Sequence, residues 1–248
     1  SLDKNDEEWV ADASGTKPVL AQDQRNIKNE ILDSVEIGRR QREVEENRWR
    51  GEDDNNERDD ADAFDPFAAF RRTDQHRRAF AVLGPAGSGK TSLIEEAVDD
   101  VVLNEGRVLI TAPTGKLAAH FRQKYPNLDV DTIHGAFQIW KSIEQTLELM
   151  IPYDLIIVEE VGQLSRGIFE RLMELWKSAE KLPTLVFVGD FWQLPGVEGS
   201  KAIQSPMWRN TGLLRVRELH TMRRCKCQIL ADKLRILRTG KPSKAQLM

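Results

Sequence analysis

Eight consecutive residues in the first half of the chain have the types and spacing of a phosphate-binding loop. They are Gly84, Pro85, Ala86, Gly87, Ser88, Gly89, Lys90 and Thr91, and they match the pattern G-x-x-x-x-G-K-[ST] in full. Glycines let the backbone of such a loop curl, so that its N–H groups point at bound phosphates. The lysine of the pattern reaches the β- and γ-phosphates, and the final hydroxyl ligates Mg²⁺. The sequence therefore predicts a site for a nucleoside triphosphate with a magnesium ion.

A pair of acidic residues, Glu159 and Glu160, follows a second apolar stretch, Ile156 to Val158. A phosphate-binding loop that supports hydrolysis needs a nearby carboxylate to hold the metal ion, and a second group orients the attacking water. Turning of the backbone at a strand end lets both side chains face the same site. We assign Glu159 to the metal ion and Glu160 to the water. The alternative is that both are solvated residues at the start of a loop.

Short apolar segments alternate with amphipathic ones in the second part of the chain, and they indicate the elements that position these groups. Strands are predicted at residues 79–83, 107–111, 154–158, 184–189 and, as a last short one, 213–219. Helices are predicted at residues 88–103, 114–124 and 165–179. Near-continuous apolar strands between amphipathic helices are typical of a parallel sheet covered on both faces. The predicted fold class is therefore α/β, with a mostly parallel sheet and helices on both faces.

The composition excludes several other classes of protein. The chain has 248 residues and a net charge of −4, so contact with nucleic acid requires a local patch and not a generally basic surface. Its two cysteines, Cys225 and Cys227, cannot supply a disulfide framework or a four-ligand zinc site. The chain contains no run of about 18 apolar residues, so no membrane span is predicted. Its acidic start lacks the pattern of a secretory signal. We therefore expect an intracellular protein without membrane contact.

The region that precedes the first predicted strand contains a helix and an acidic stretch. Residues 20–35 place apolar side chains at helical spacing. Residues 41–62 carry ten acidic and four basic side chains, which is typical of a solvated or disordered insertion; the alternative is an acidic arm that mimics nucleic acid. Phe64, Phe67 and Phe70 have the spacing of one face of a short helix that docks on the body. The predicted units are an N-terminal segment at 1–40, an acidic, flexible insertion with its docking segment at 41–78, and an ATPase core at 79–248.

Several segments resemble, in the expected order, the first motor domain of a superfamily 1B DNA helicase of the RecD and petite-integration-frequency type. These segments are residues 20–24, 84–91, 111–119, 132–137, 158–161, 188–197 and 219–224. The most specific is 188–197, which matches the family's Gly-Asp-x-x-Gln-Leu-Pro-x-Val motif. The resemblance runs from about residue 20 to 241, interrupted by the acidic insertion. It implies a RecA-like P-loop fold, ATP and Mg²⁺ as cofactors, and a 5′→3′ DNA helicase that binds single-stranded DNA.

The resemblance also implies roles for individual residues. Gln24 corresponds to a glutamine that reads the adenine edge, and Gln193 to an amide that senses the γ-phosphate. Arg223 or Arg224 corresponds to an arginine that approaches that phosphate. The choice stays open, because alignment on the family's Phe-Arg-Gln selects Arg223 and spacing from Leu219 selects Arg224. The implied catalytic residues are Lys90, Glu160, Gln193, Arg223 and Arg224.

The DNA contacts that the family's motifs imply are Thr111, Pro113, Thr114, Lys116, Thr132, His134 and Phe137. Most of these are short polar or basic groups at strand ends or helix starts, which suits contacts to a phosphate backbone. Phe137 offers a surface on which a base can stack, and core packing is the alternative for this residue. Lys116 has the alternative of being an ordinary surface lysine.

The chain departs from the family pattern in two ways. Glu159 stands where the family usually has an aspartate, whose side chain is one methylene shorter. The motifs of the family's second motor domain are missing up to Met248, so we expect a fragment whose second lobe follows in cis. The alternative function is a nucleotide-binding regulatory or scaffolding module, derived from a helicase lobe that no longer unwinds DNA.

Overall fold

Six parallel strands form one sheet in the part of the chain that the structure describes. The computed structural model describes residues 19–50, 79–178, 183–191, 201–210 and 212–221. The strands are Ala79–Leu83 (β1), Val108–Ala112 (β2), Asp129–Thr132 (β3), Leu155–Val158 (β4), Thr184–Gly189 (β5) and Leu214–Glu218 (β6). They are hydrogen-bonded in the order β3-β2-β4-β5-β1-β6, and every neighbouring pair is parallel. The predicted α/β class with a parallel sheet is confirmed.

The central strands are almost entirely apolar because both of their faces are covered. In β5, Leu185 and Phe187 point into one hydrophobic core, whereas Val186 and Val188 point into the other. This alternation follows from the two-residue period of a strand, whose successive side chains lie on opposite faces. A strand with two buried faces has no place for a solvated side chain, so its sequence reads as a continuous apolar run.

The helices divide between the two faces of the sheet. They are Gln22–Arg50 (α1), Lys90–Leu103 (α2), Gly115–Lys124 (α3), Ile133–Phe137 (α4), Ile143–Met150 (α5) and Arg166–Ser178 (α6). Apolar residues of α1 and α2 belong to one core and those of α3 pack against it, whereas α4, α5 and α6 contribute to the other core. No helix within the described residues is long and apolar enough to cross a membrane. Helices on both faces are therefore confirmed as well.

Helix α1 is longer than the sequence predicted. It continues to Arg50, so residues 41–50, which we assigned to the flexible insertion, are helical. Glutamine, arginine and glutamate dominate these ten residues and are good helix formers, and none of the ten is glycine or proline. Arg42 also forms an ion pair with Asp154 at the start of β4, which holds this part of the helix against the sheet. The rest of the predicted insertion and its three phenylalanines lie outside the described residues.

Three elements between residues 125 and 153 were not predicted. Strand β3 is an edge strand of four residues with alternating acidic side chains, so it lacks the apolar run of the central strands. Helix α4 has only five residues, which is too short to show a helical period. Helix α5 begins at a Ser142 cap, whose hydroxyl accepts the Gln145 N–H.

All six carboxyl ends of the parallel strands meet at one edge of the sheet, which we call the carboxyl edge. The phosphate-binding loop follows β1 there, and Glu159 and Glu160 follow β4. Because β5 lies between β4 and β1, its end at Asp190 separates the carboxylate pair from the loop. The ends of β2 and β3 lie beside each other at the other side of β4. The fold therefore gathers most of the predicted site residues at this edge.

Candidate functional site

The phosphate-binding loop connects the buried strand β1 to the first turn of α2. Its backbone enters the left-handed region at Gly87 (φ 76°) and at Gly89 (φ 88°), which caps the helix. A side chain at either position is disfavoured sterically, so the curl of the loop depends on glycine. The first turn of α2 contains no acidic residue. The positive end of the helix dipole is therefore free of a competing negative charge, as an anion site requires.

Lys90 lies across this loop. Its ammonium donates hydrogen bonds to the carbonyl oxygens of Gly84 at 2.6 Å and Pro85 at 3.0 Å. These contacts hold the positive charge over the curled backbone. The side chain is thus placed where phosphate oxygens can replace the carbonyl oxygens as acceptors. Thr91, the next residue, is exposed on the first turn of α2.

The Ser88 side chain gives the loop an unusual feature. It is 1% exposed, and its hydroxyl oxygen has no hydrogen-bond partner in the described part of the protein. A buried hydroxyl without a partner is destabilising by about 1–3 kcal/mol. The loop must change its conformation before the Ser88 hydroxyl can find a hydrogen-bond partner. Binding of a nucleotide would produce such a change. This unsatisfied group fits a loop that reaches its best hydrogen bonding only with a ligand.

We expect the substitution Ser88→Ala to stabilise the nucleotide-free protein, because it removes the unsatisfied hydroxyl. A gain of about 1 kcal/mol corresponds to an increase of about 2–4 °C in Tm for a domain of this size. The further increase in Tm on adding nucleotide should be smaller than in the unmodified protein. Thermal unfolding with and without nucleotide measures both effects. An unchanged Tm of the nucleotide-free variant would show that the hydroxyl is hydrogen-bonded in solution.

The carboxylate pair sits at a sharp turn of the backbone after β4. Glu160 has a φ of 53°, in the left-handed region that non-glycine residues rarely adopt. The Glu159 N–H donates to the Thr111 carbonyl oxygen at 2.8 Å, which continues the β2–β4 pairing, and the chain bends at Glu160. Backbone strain of this kind is concentrated at functional sites. The turn lets the consecutive side chains of Glu159 and Glu160 face one site, as expected for a bend at the end of a strand.

The neighbouring strand end packs closely against this turn. A side chain at Gly189 would place its Cβ 2.9 Å from the backbone nitrogen of Val161, and Gly189 itself has a φ of 153°. A Cβ added at Gly162 would lie 2.3 Å from the carbonyl oxygen of Asp190. Glycine is therefore required at both contacts. Gly189 and Asp190, the first two residues of the Gly-Asp-x-x-Gln-Leu-Pro-x-Val motif, thus pack against the turn that carries Glu160.

Burial and neighbouring carboxylates determine the electrostatics of the pair. Burial, and secondarily the charge of Glu160, raises the pKa of Glu159 to about 7, while Lys124 and Lys90 act in the opposite direction. Burial also raises the pKa of Glu160, with Asp190 adding to the effect and Lys90 opposing it. Crowded acidic groups whose charges are unfavourable are stabilised by a nearby cation. The residues present therefore fit a divalent metal ion beside the phosphates.

Gln24 lies next to the phosphate-binding loop, although it is far from the loop in sequence. Its side-chain oxygen accepts the Ala21 N–H at 2.9 Å, and its amide nitrogen donates to the Gly89 carbonyl oxygen at 3.0 Å. These two bonds fix the orientation of the amide and join α1 to the loop. The side chain is 2% exposed, so the edge of a base reaches its second N–H and remaining lone pair only if the residues that cover it move. The ion pairs of Lys28 with Glu96 and Asp100 hold α1 against α2.

The residues implied as DNA contacts follow β2 and β3 at the carboxyl edge. Thr114 caps α3 and accepts the Leu117 N–H at 3.4 Å, and Thr132 caps α4 and accepts the Gly135 N–H at 3.0 Å. Both hydroxyls use an acceptor site in these bonds, so each keeps its own proton for donation outward. The side chains of Lys116 and His134 are exposed, and Pro113 is half-buried. These groups form one polar surface beside the carboxylate pair.

Two predicted DNA contacts are wrong. Phe137 is completely buried and packs in the hydrophobic core, because α4 turns this side chain towards the sheet. Thr111 is also completely buried, and its hydroxyl donates to the Ile157 carbonyl oxygen at 3.0 Å. A hydroxyl inside the sheet has no access to DNA. Trp140, which is 68% exposed, is the aromatic residue near α4 that faces solvent.

Three predicted catalytic residues cannot be placed. Gln193, Arg223 and Arg224 lie outside the described residues, so their assignments stay predictions. Asp190, three residues before Gln193, is buried at the end of β5.

A cluster of charged and aromatic side chains between α2 and α3 was not predicted from the sequence. Lys124 forms an ion pair with Glu95 at 2.6 Å, and Tyr125 packs beside it. Burial, Glu95 and Glu159 together raise the pKa of the Tyr125 hydroxyl, which places this cluster near the carboxylate pair. The spacing of Glu95 and Lys124 along the chain gives no sign of their contact. Only the packing of the two helices on one face of the sheet brings them together.

The parallel sheet and the loop at the end of β1 place the chain among the RecA-like P-loop nucleotide-binding domains. The family AAA_30, described as an AAA domain, matches residues 67–248, which is more than half of the chain. The chain belongs to this family. Pif1-type DNA helicases are among the proteins that it resembles, in sequence and in fold, as the motifs predicted.

Two helicases are among the relatives. DNA helicase B of Mus musculus is 30% identical over 132 residues, which cover 50% of this chain and 12% of that protein. ATP-dependent DNA helicase PIF1 of Trypanosoma brucei brucei is 27% identical over 165 residues, which cover 63% of this chain and 17% of that protein. The chain therefore spans less than a fifth of the length of these curated relatives.

Solved structures of Pif1 helicases have the same fold. The Pif1 helicase from Candida albicans matches with a TM-score of 0.60 and 19% identity, over 92% of this chain and 46% of the other. The Bacteroides sp Pif1 in complex with ADP-AlF4 matches with a TM-score of 0.53 and 18% identity, over 93% of this chain and 48% of the other. At this identity the likeness establishes the fold, and the matched part is about half of each solved chain.

Proposed function

We propose that this chain is the first motor domain of an ATP-dependent 5′→3′ DNA helicase, in which it binds ATP, Mg²⁺ and single-stranded DNA. One observation carries the proposal. The phosphate-binding loop after β1, the carboxylates after β4 and the polar surface after β2 and β3 share a single edge of one sheet. Because β4 lies beside β2, the carboxylates of the nucleotide site would neighbour a nucleic-acid strand bound after β2 and β3, and a change at one site could reach the other through them.

The nucleotide half of the proposal assigns a task to each group. The loop N–H groups and Lys90 bind the phosphates, and the Gln24 amide, oriented by α1, faces the base. Thr91 and Glu159 would hold Mg²⁺, which neutralises phosphate charge when it is bound. Glu160 accepts a proton from the attacking water, for which its strained turn positions it. Lys124 and Lys90 lower the pKa of Glu159 against the effect of burial, so their positive charges favour its carboxylate form.

The DNA half of the proposal rests on the polar surface. Thr114 and Thr132 offer hydroxyl protons, and Lys116 supplies a full positive charge. Such groups suit a phosphate backbone, which they position without reading the bases. We therefore propose binding that is indifferent to sequence and sensitive to salt.

A second motor lobe in cis completes the proposed enzyme. Helicase relatives and solved Pif1 chains extend well beyond the matched part, which supports this proposal. Closure of two lobes around ATP assembles the catalytic groups and drives movement on DNA. The direct test is unwinding by the full-length protein of duplexes with a single-stranded 5′ or 3′ tail. Unwinding that requires a 5′ tail and ATP supports the proposal, whereas nucleotide binding without unwinding favours a regulatory module.

We expect Lys116→Ala and His134→Ala to weaken single-stranded DNA binding several-fold and to leave ATP affinity unchanged. Loss of the Lys116 charge should also reduce the slope of log affinity against log salt by about 1, because one phosphate contact is lost. Fluorescence anisotropy with a labelled oligonucleotide at several salt concentrations measures both quantities. Lys177→Ala is the matched control, since this exposed lysine lies at the last turn of α6, at the opposite edge. Unchanged DNA affinity in both test variants would place the DNA surface elsewhere.

A further inference from the structure

An arginine of α3 is bonded to the strand that precedes α4. Arg122 donates from Nε to the Val130 carbonyl oxygen at 2.9 Å and from Nη2 to Asp131 Oδ1 at 2.8 Å. A planar guanidinium that donates two of its N–H groups in this way is held in one orientation. Arg122 therefore connects α3 to the end of β3 by side-chain bonds, in addition to the short loop between them.

Asp131 is the centre of this connection. Its Oδ1 also accepts the Thr132 N–H at 2.7 Å. The opposite side of its carboxylate packs on Gly135, where an added Cβ would lie only 2.5 Å from Asp131 Oδ2. Asp131 thus fills the bend between β3 and α4, and the absence of a side chain at Gly135 makes room for it.

These bonds join the two halves of the polar surface. Thr114 and Lys116 lie at the start of α3, whereas Thr132 and His134 lie at the bend that Asp131 fills. We propose that Arg122 and Asp131 are positioning residues, which hold these two halves at a fixed spacing so that they contact one DNA backbone together. This inference rests on the proposed binding of single-stranded DNA at this surface.

The exposure of the pair argues for positioning and against a large role in folding. Half of each side chain is exposed, and exposed ion pairs contribute little to stability. A fixed orientation of two contact groups is nevertheless valuable for binding, because it removes the cost of ordering them when DNA arrives. Loss of Arg122 should therefore affect DNA affinity more than it affects Tm.

The first test separates positioning from direct contact with DNA. We expect Arg122→Ala to lower single-stranded DNA affinity about three- to tenfold at one salt concentration, with an unchanged salt slope. An arginine that bound a phosphate itself would instead reduce the slope by about 1, as Lys116→Ala does. Anisotropy titrations of the full-length protein over a range of salt measure the difference. Arg107→Ala is the matched control, because Arg107, just before β2, pairs with Asp129 at the opposite end of the same strand β3.

The second test displaces Asp131 without changing either charged residue. In Gly135→Ala the new Cβ forces the Asp131 carboxylate out of the bend. Alanine is also a better helix former than glycine, so Tm should stay the same or rise. DNA affinity should fall as it does in Arg122→Ala, and the double variant should bind no more weakly than the worse single variant. A fall in affinity without a fall in Tm is not expected from a residue that only stabilises the fold.

The outcomes are distinguishable. The positioning role is overturned if Arg122→Ala and Gly135→Ala bind DNA normally while Lys116→Ala does not. It is also overturned if Arg122→Ala changes the salt slope, or if the two variants act additively. If Lys116→Ala and His134→Ala have no effect either, the proposed DNA surface itself is wrong, and the positioning role fails with it.

Discussion

Lys90→Ala should reduce ATP hydrolysis by about 10²- to 10³-fold, the effect of removing one group that stabilises a transition state. The structure shows why the side chain cannot be replaced by a neighbour. Its ammonium already lies over the loop, on the carbonyl oxygens of Gly84 and Pro85. The next cation near the carboxylate pair, Lys124, is tied to Glu95 between two helices. Turnover measured with and without single-stranded DNA tests the expectation.

Interpretation of this variant requires that its fold is intact. Alanine is the best helix former, so the first residue of α2 should tolerate it and Tm should change little. Lys177→Ala serves as a control for the loss of a surface charge, since it lies at the other edge of the sheet. DNA-stimulated hydrolysis at an ordinary rate in Lys90→Ala would show that the loop does not bind the transferred phosphate.

The core of the fold could be predicted from sequence because its signals are local. Strands β1 and β5 were predicted at their observed bounds, and the other predicted strands to within one residue. Each is a short apolar run with both faces buried, so burial and sequence pattern coincide. The phosphate-binding loop is equally local, since glycine spacing alone determines its curl.

Other elements could not be predicted because their signals are weak or distributed. Residues 41–50 looked like part of a solvated insertion when their charge was averaged over a longer stretch, although they form the end of α1. Strand β3 and helix α4 are too short and too polar to show a period. Their positions are determined by tertiary contacts, among them the bonds of Arg122 to the end of β3.

The candidate site shows the same division. Lys90, Glu159 and Glu160 were assigned from motifs, and the structure brings their charges close enough to affect one another. Phe137 and Thr111 were assigned by resemblance, and both are buried. A motif specifies which residue occurs at a position, whereas the direction of its side chain depends on the register of the strand or helix. One residue of register decides whether a side chain meets solvent or the core.

Glu160→Gln should bind ATP and fail to hydrolyse it. The amide has almost the same shape as the carboxylate but cannot accept a proton from water, and loss of a general base costs about 10²- to 10⁴-fold in rate. Removal of a negative charge beside Glu159 and Asp190 relieves repulsion, so neither Tm nor nucleotide affinity should fall. Single-turnover hydrolysis and direct nucleotide binding measure the two properties separately. Glu148→Gln, on the exposed side of α5, controls for the general loss of a carboxylate. If Glu160→Gln turns over ATP normally, the strained turn at Glu160 serves another purpose and the proton acceptor must be sought among other groups at the carboxyl edge.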